Sequence, residues 1–446
     1  MLVMKFGGTS VESTEAIDRV TEIVRARVDR RPVVVVSAMG KTTNRLLAIA
    51  SHAVAGRADA AFTELDALRD YHDRESRVPE VLDAHFRQLG ELVRGLTVLG
   101  ELTPRSLDAI ASFGERLSSE IVTLRFRQAG LDAVHLDART VIVTDNRHTQ
   151  ATPLYAQTDV RLTAVVPPLL EKHVVVMGGF IGATETGITS TLGRGGSDFT
   201  ASIVGAALNA EEIQIWTDVD GMLTADPRMV PGSHRIRTCS FEEAAELAYF
   251  GAKVLHPATV LPAKQKGIPV LILNSRRPDA GGTRVVAHAV PSSNVVKSIA
   301  CKTGIALVNI QSMRMLMAHG FLRRVFEIFD RCETAVDMIA TSEVSVSLTV
   351  DDRSRLDEIR AELLEFAEVS VDEDATIICL VGDNIRHTPG VAARMFQALD
   401  GISVRMVSQG ASRLNISFVV AGEDGRRAVT LLHDEFFREL DPAVFE

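Results

Sequence analysis

The chain has 446 residues, 46% hydrophobic and 24% charged, the balance of a folded chain of about two to four domains. Its net charge of -10 argues against nucleic acid as the main partner, because a phosphate backbone needs a basic surface; a nucleotide needs only a few local cations and N–H groups. Four scattered cysteines without CxxC spacing argue against a disulfide framework or zinc site and fit a reducing cytoplasm, the expected location.

The start, Met1–Gly8, has no long apolar core after a basic region, so no signal peptide is expected. No run approaches the roughly 18 apolar residues of a membrane span. One Trp and three Tyr are too few for a base-stacking surface. Helical patterning over Glu15–Arg27 precedes Val33–Val36, which reads as a buried strand. The stretch 52–100 is charged and helical, an excursion from the sheet, and Ser106–Gln128 reads as a further helix. Val174–Met177, Glu212–Trp216 and Val270–Leu273 are further strands. β-Branched runs separated by helices predict an α/β fold with a mostly parallel sheet covered on both faces.

Loop chemistry at Pro278–Pro291 marks a break, and the pattern then changes. Strand Ile305–Ile310, helix Gly320–Arg331, strands Ala335–Ile339 and Val344–Val350, and helix Arg353–Phe366 form one βαββα unit. Strand Thr376–Val381, helix Pro389–Leu399, strands Ile402–Val407 and Leu414–Val420, and helix Asp424–Phe436 repeat it.

Lys5-Phe6-Gly7-Gly8-Thr9-Ser10 places a cation, two glycines and hydroxyls between a strand and a helix, a layout suited to phosphate. Lys5 would neutralise charge on a phosphoryl group in transfer; a glycine turn with a surface lysine is the equal alternative on this motif alone. Gly40-Lys41-Thr42 is not a Walker A loop, because Val35 stands where its first glycine is required. Ser37 and Thr43 are hydroxyls at a strand's carboxyl end, where open α/β sheets bind ligands. In Gly193-Arg194-Gly195-Gly196-Ser197-Asp198 the glycines and the following helix suit an anion, and the Arg194 fork suits a carboxylate. Asp198 is read as functional in this loop ahead of a first-turn helix charge. Trp216–Gly221, running on to Asp226-Pro227-Arg228, suits nucleotide or metal contacts or, most of all around Asp226-Pro227, simple Asx-turn chemistry. Lys253 in Phe250–Pro257 suits either phosphate or solvent, and His256 before Pro257 reads as structural. Glu115 is a carboxylate in an apolar helix, for a substrate ammonium or an internal cation.

In this order the motifs resemble those of the aspartate kinase family over essentially the whole chain. Lys5–Val11 with Gly193–Asp198 is the specific part. The resemblance implies an amino-acid-kinase domain over 1–290, followed by two ferredoxin-like ACT domains over 300–374 and 375–446. Gly320-Phe321-Leu322 and Thr341–Val346 are similar to the effector segment of the monofunctional, lysine-sensitive branch. The implied reaction transfers the γ-phosphoryl of ATP, with Mg2+, to the β-carboxylate of L-aspartate. It yields 4-phospho-L-aspartate, on the route to lysine, threonine, methionine and diaminopimelate. Lys5 and Asp198 would be catalytic. Ser37, Thr43, Glu115, Arg194 and Ser197 would surround aspartate, Glu115 holding its ammonium group. Lys5, Gly7, Gly8, Thr9, Thr217, Asp218, Gly221, Leu223, Arg228, Lys253 and Val254 would line the nucleotide site. Met315, Ala318, His319, Gly320, Phe321, Leu322, Val336, Asp337, Thr341 and Ser342 would bind the effector, lysine favoured over threonine. No residue is assigned to metal. The implied assembly is a homodimer through ACT domains, possibly a tetramer, with neither nucleic acid nor membrane as partner. Two positions depart from the family pattern: Leu223 stands where a tyrosine is expected near adenine, and Met39-Gly40-Lys41 where small residues are expected.

Three other readings compete. The acceptor could be acetylglutamate, glutamate or UMP; the double ACT tail and Phe113-Gly114-Glu115 speak against it. An amino-acid-binding regulator with a dead kinase domain conflicts with Lys5, Arg194 and Asp198. A bifunctional kinase–homoserine dehydrogenase is not expected at this length, with no dehydrogenase region in the 446 residues.

Overall fold

The computed structural model describes the chain except residues 78, 251–254, 256, 316–318 and 411. It divides into two compact units: Met1–Met222, Thr238–Phe241 and Val254–Ala289 in one, and Leu223–Arg237, Glu242–Lys253 and Val290–Glu446 in the other.

The first unit opens with β1 (Leu2–Phe6), α1 (Thr14–Arg25) and β2 (Pro32–Val36). Helix α1 starts where the Ser13 side chain accepts a hydrogen bond from the Ala16 amide, and it buries Ile17, Val20, Ile23 and Val24 along one face. The chain then leaves the sheet through a run of helices that begins with α2 (Thr42–Val54), α3 (Ala58–Ser76), α4 (Pro79–Leu99) and α5 (Pro104–Ala111). Then come α6 (Phe113–Gln128), β3 (Ala133–Leu136), β4 (Val143–Thr144), α7 (Tyr155–Leu170) and β5 (Val174–Gly178). The expected helix Ser106–Gln128 is thus two helices, parted at Ser112. Next are β6 (Ile181–Thr184), β7 (Thr189–Thr191), α8 (Gly196–Ala207), β8 (Glu212–Thr217) and β9 (Thr238–Ser240). Helix α9 (Phe241–Tyr249) belongs to the second unit from Glu242 onward. Helix α10 (Leu261–Lys266), β10 (Val270–Asn274) and β11 (Gly282–Val286) complete the first unit. Strand β11 lies inside the stretch expected to be loop; it pairs antiparallel with β10.

The main sheet has the order β3-β5-β2-β1-β8-β10-β11-β9 and is parallel from β3 to β10. Strands β1, β2 and β5 are buried almost throughout, which is why they read as unbroken apolar runs. The chain leaves β1 toward β2 on one side and reaches β8 on the other, so the carboxyl end of β1 lies at the switch in strand order, where such sheets form a crevice.

The second unit is built on a six-stranded sheet. Its elements are β12 (Val296–Gln311), α11 (Phe321–Arg331), β13 (Met338–Thr341), β14 (Ser345–Val350) and α12 (Leu356–Leu363). Then follow β15 (Glu368–Gly382), α13 (Val391–Ala398), β16 (Met406–Gln409), β17 (Asn415–Ala421) and α14 (Gly425–Phe436). Strands β12 and β15 pair antiparallel along nearly their full lengths, from Val296 opposite Gly382 to Gln311 opposite Glu368. One half of that ribbon carries β14 and β13, the other β17 and β16. Each half is therefore a βαββαβ fold, but the second takes its fourth strand from the start of β12, ahead of the first half in sequence.

Candidate active site

Strand β1 ends at Phe6, and the next turn must pass close to the loop after β2. The Gly8 carbonyl accepts from the Gly40 amide at 3.0 Å, and a Cβ on Gly8 would sit 2.8 Å from the Ala38 carbonyl oxygen. Only glycine allows that approach. It places Lys5 beside the residues after β2. Helix α8 begins at Gly195, whose φ of 72° is the left-handed conformation glycine adopts without strain. The first-turn amides of Ser197 and Asp198 thereby face outward from the helix start, as an anion site requires.

Lys5, Ser37, Thr43, Glu115, Arg194, Ser197 and Asp198 line one cavity of about 640 Å³. These seven come from four separate stretches of sequence, and the fold brings all of them together. Lys5 Nζ lies 2.7 Å from Asp198 Oδ1, with both side chains largely shielded from water. Glu115 Oε1 accepts from the Ala38 amide at 3.1 Å, while Oε2 is buried and has no partner among the described residues. Burial pushes the Glu115 carboxyl up to about 8, against the opposing pull of the Ala38 and Glu115 amides and the Lys5 charge. Arg194 is exposed at the cavity wall, and Ser37 and Thr43 are half-buried.

Asp108, which sequence reasoning passed over, also lines this cavity and is 1% exposed. It accepts from the Thr191 hydroxyl at 2.5 Å, from His148 Nδ1 at 2.7 Å and from the Thr149 amide at 3.0 Å. It thus tethers Thr149, which is also in the lining, next to Gly193. The available signal was an acid next to Leu107 and Ile110 in a short amphipathic helix, a position more often apolar.

Gly7, Gly8 and Thr9 follow β1, and the Gly7 amide donates to the Trp216 carbonyl at 3.0 Å, tying that turn to the end of β8. Thr217, Asp218 and Gly221 follow β8; the Thr217 hydroxyl donates to Asp218 Oδ1 at 3.3 Å, and Asp218 is exposed. Leu223 and Arg228 fall in the second unit. There the Leu223 carbonyl accepts from the Ser298 hydroxyl at 2.7 Å, and Arg228 is paired with Asp226 at 2.6 Å. Lys253, Val254 and Ala318 lie outside the described residues.

The effector-type residues occupy two stretches of the second unit. His319 and Gly320 lead into α11, where Phe321 packs edge-on against Phe366 and Leu322 is exposed. Met315 and Val336 pack against the core beneath that helix. Asp337 precedes β13, Thr341 ends it, and the Ser342 hydroxyl lies 2.6 Å from that of Ser345. Among the described residues the one cluster with metal-ligand spacing is Cys332, Glu358 and Glu362, also in this unit. Among the described residues, no helix of the chain is long and apolar enough to cross a membrane.

A parallel sheet with a lysine–aspartate pair and a glycine-rich helix start at its crevice defines a phosphoryl-transfer enzyme of the Amino acid kinase family, whose pattern matches residues 1–274; an ACT domain pattern matches 378–436. The chain is 39% identical to Aspartokinase 2, chloroplastic, of Arabidopsis thaliana, covering 99% of this chain and 85% of that protein. It is 37% identical to Lysine-sensitive aspartokinase 3 of Escherichia coli, covering 98% and 99%. Two crystal structures of E. coli aspartokinase III, one with lysine and aspartate and one with aspartate and ADP, superpose with TM-scores of 0.85 and 0.83. Each is 36% identical over 98% of this chain, covering 99% and 100% of the respective crystal chain. The chain belongs to the aspartokinase family.

Proposed function

We propose that this chain transfers the γ-phosphoryl group of MgATP to the β-carboxylate of L-aspartate, giving 4-phospho-L-aspartate, and is inhibited by L-lysine. The observation that carries the acceptor is the orphaned, buried oxygen of Glu115 in a cavity that also presents Arg194. A buried carboxylate oxygen without a donor matches an α-ammonium group, and an unburied guanidinium matches a carboxylate. An amino acid with a second carboxylate satisfies both and leaves one carboxylate oxygen to react.

That carboxylate is ionised at neutral pH and is already a nucleophile, so no general base is required. Catalysis then rests on positioning and on charge stabilisation. Lys5, held by Asp198, would meet the charge on the phosphoryl group in transfer. Gly7, Gly8 and Thr9 would cradle that group, and Ser37, Thr43 and Ser197 would complete the aspartate pocket. Thr217, Asp218, Gly221, Leu223, Arg228, Lys253 and Val254 are the proposed nucleotide contacts. Magnesium is carried in as part of MgATP, held by phosphate oxygens and water.

In the second unit, Asp337 would take the ammonium group of lysine, with backbone groups near His319–Leu322 receiving its carboxylate and Thr341 and Ser342 completing the site. Exposed Phe326, Ile339 and Phe396 support a homodimer through the ACT sheet, extensible to a tetramer. The ADP released from ATP is measured with L-aspartate, acetylglutamate, glutamate and UMP in turn, then with millimolar lysine or threonine added. Turnover with aspartate alone, suppressed by lysine, is expected. No ADP with aspartate would defeat the reading, and activity unmoved by lysine would remove the effector.

A further inference from the structure

Tyr249, the last residue of α9, makes a contact that neither catalysis nor effector binding uses. The side chain of Asp337 is 5% exposed, and its Oδ1 accepts from Lys302 Nζ at 2.8 Å and from the Tyr249 hydroxyl at 3.2 Å. Its Oδ2 is buried and has no hydrogen bond to a described residue. Lys302 is shared with Asp351 at 2.7 Å, and its ammonium lies 5.8 Å from the centre of the Tyr249 ring. Helix α9 is otherwise anchored nearer its start. Glu243 pairs with Lys297 at 2.7 Å, both side chains 2% exposed, and Glu246 accepts from the Ser412 hydroxyl at 2.9 Å and from Asn415 Nδ2 at 2.6 Å. Among the described residues the Tyr249 contact is the one that ties the helix's far end to Asp337, and the first unit resumes at residue 254.

We infer that Tyr249 is the positioning residue through which occupancy of Asp337 is felt by helix α9 and, along the chain, by the catalytic unit. The inference rests on the proposed effector site at Asp337. A phenol donating to an ionised carboxylate makes a charge-assisted bond. A cation arriving at Oδ2 draws on the same carboxylate charge and weakens the bond at Oδ1. The end of α9 is then held differently in the two states, which is the differential contact that coupling requires. Lys302 cannot serve this purpose, because both of its acid partners, Asp337 and Asp351, lie in the ACT sheet region and neither is on α9.

The test uses the full chain and Tyr249→Phe, which keeps the ring over Lys302 and removes only the hydroxyl. Lysine binding is measured by calorimetry, inhibition by ADP release at rising lysine, and the state of α9 by hydrogen exchange of peptides from 241–249 with and without lysine. In the unaltered chain lysine should bind, inhibit, and change exchange in α9. In Tyr249→Phe, activity without lysine is retained and lysine still binds, with affinity raised by up to about fivefold because binding no longer has to weaken that hydrogen bond. Residual activity at saturating lysine rises and the exchange response of α9 disappears. Full inhibition at saturation with an intact exchange response would overturn the inference while leaving the effector site standing. An unaltered chain that gives no heat with lysine would overturn the effector site, and this inference with it.

Discussion

Glu115 is a carboxyl group whose second oxygen has no donor, in a place where burial favours the protonated form up to about 8. The same group titrates near 4.5 when unperturbed. Its contribution to stability is therefore fully present below about 4.5 and is lost as pH rises through about 8, because the folded chain holds the proton more tightly than the unfolded one. Thermal melts of the ligand-free chain against Glu115→Gln should diverge in that window, the parent losing stability as pH rises and the variant not. An ammonium group at Oε2 favours the ionised form, so aspartate binding at pH 7 should release about one proton. Calorimetry in buffers of different ionisation heat reads that number, and Glu115→Gln should bring it to zero. Glu115→Ala should raise the Michaelis constant for aspartate; an unchanged constant would end the ammonium role. Lys5 belongs to the other half of the chemistry. Lys5→Ala should lower the catalytic rate by about two to three powers of ten, as removal of one transition-state donor does. A folded variant working at the parent rate would take Lys5 out of the mechanism.

Elements differ in how plainly they announce themselves. Strands β2 and β5 were legible because parallel strands covered on both faces are unbroken apolar runs, and β8 through its alternating Ile213, Ile215 and the Trp216 that follows. The division of α5 from α6 was not, since the periodicity around Ser112 continues across it. Its cause is tertiary: a Cβ on Gly114 would come 2.7 Å from the Ala38 Cβ, so α6 must start where glycine can press on the turn after β2. That approach also brings the Ala38 amide to Glu115. Short strands such as β7 and β9 were missed because three residues carry no period. In the second unit, α9 is fixed to β12 by the buried pair Glu243–Lys297. Lys297→Met takes away the cation facing a carboxylate that is 2% exposed, and should cost about 3–5 kcal/mol, seen as a lower urea midpoint. An unchanged midpoint would mean that Glu243 takes its proton or finds another donor at little cost.

At the scale of the molecule, the two ACT halves are nested. Residues 375–446 lack the strand that completes their sheet, because Val296–Thr303 supplies it. A fragment of 375–446 should therefore show no cooperative melt by circular dichroism; a folded fragment would mean that β15 and β17 suffice without β12. The sequence by itself settled the kind of protein: the local motifs at Lys5–Val11 and Gly193–Asp198, the βαββα repeat and the alternation of strands and helices are properties of neighbouring residues. It also named Lys5, Glu115, Arg194 and Asp198 as parts of one substrate site, though not the contacts that join them. Only the tertiary structure decided which oxygen of Glu115 is left without a donor, that Asp108 braces the cavity, that α9 ends on Asp337 and that a strand is borrowed across the ACT repeat. Each depends on residues far apart in the chain meeting in space, and no local period or propensity records such a meeting.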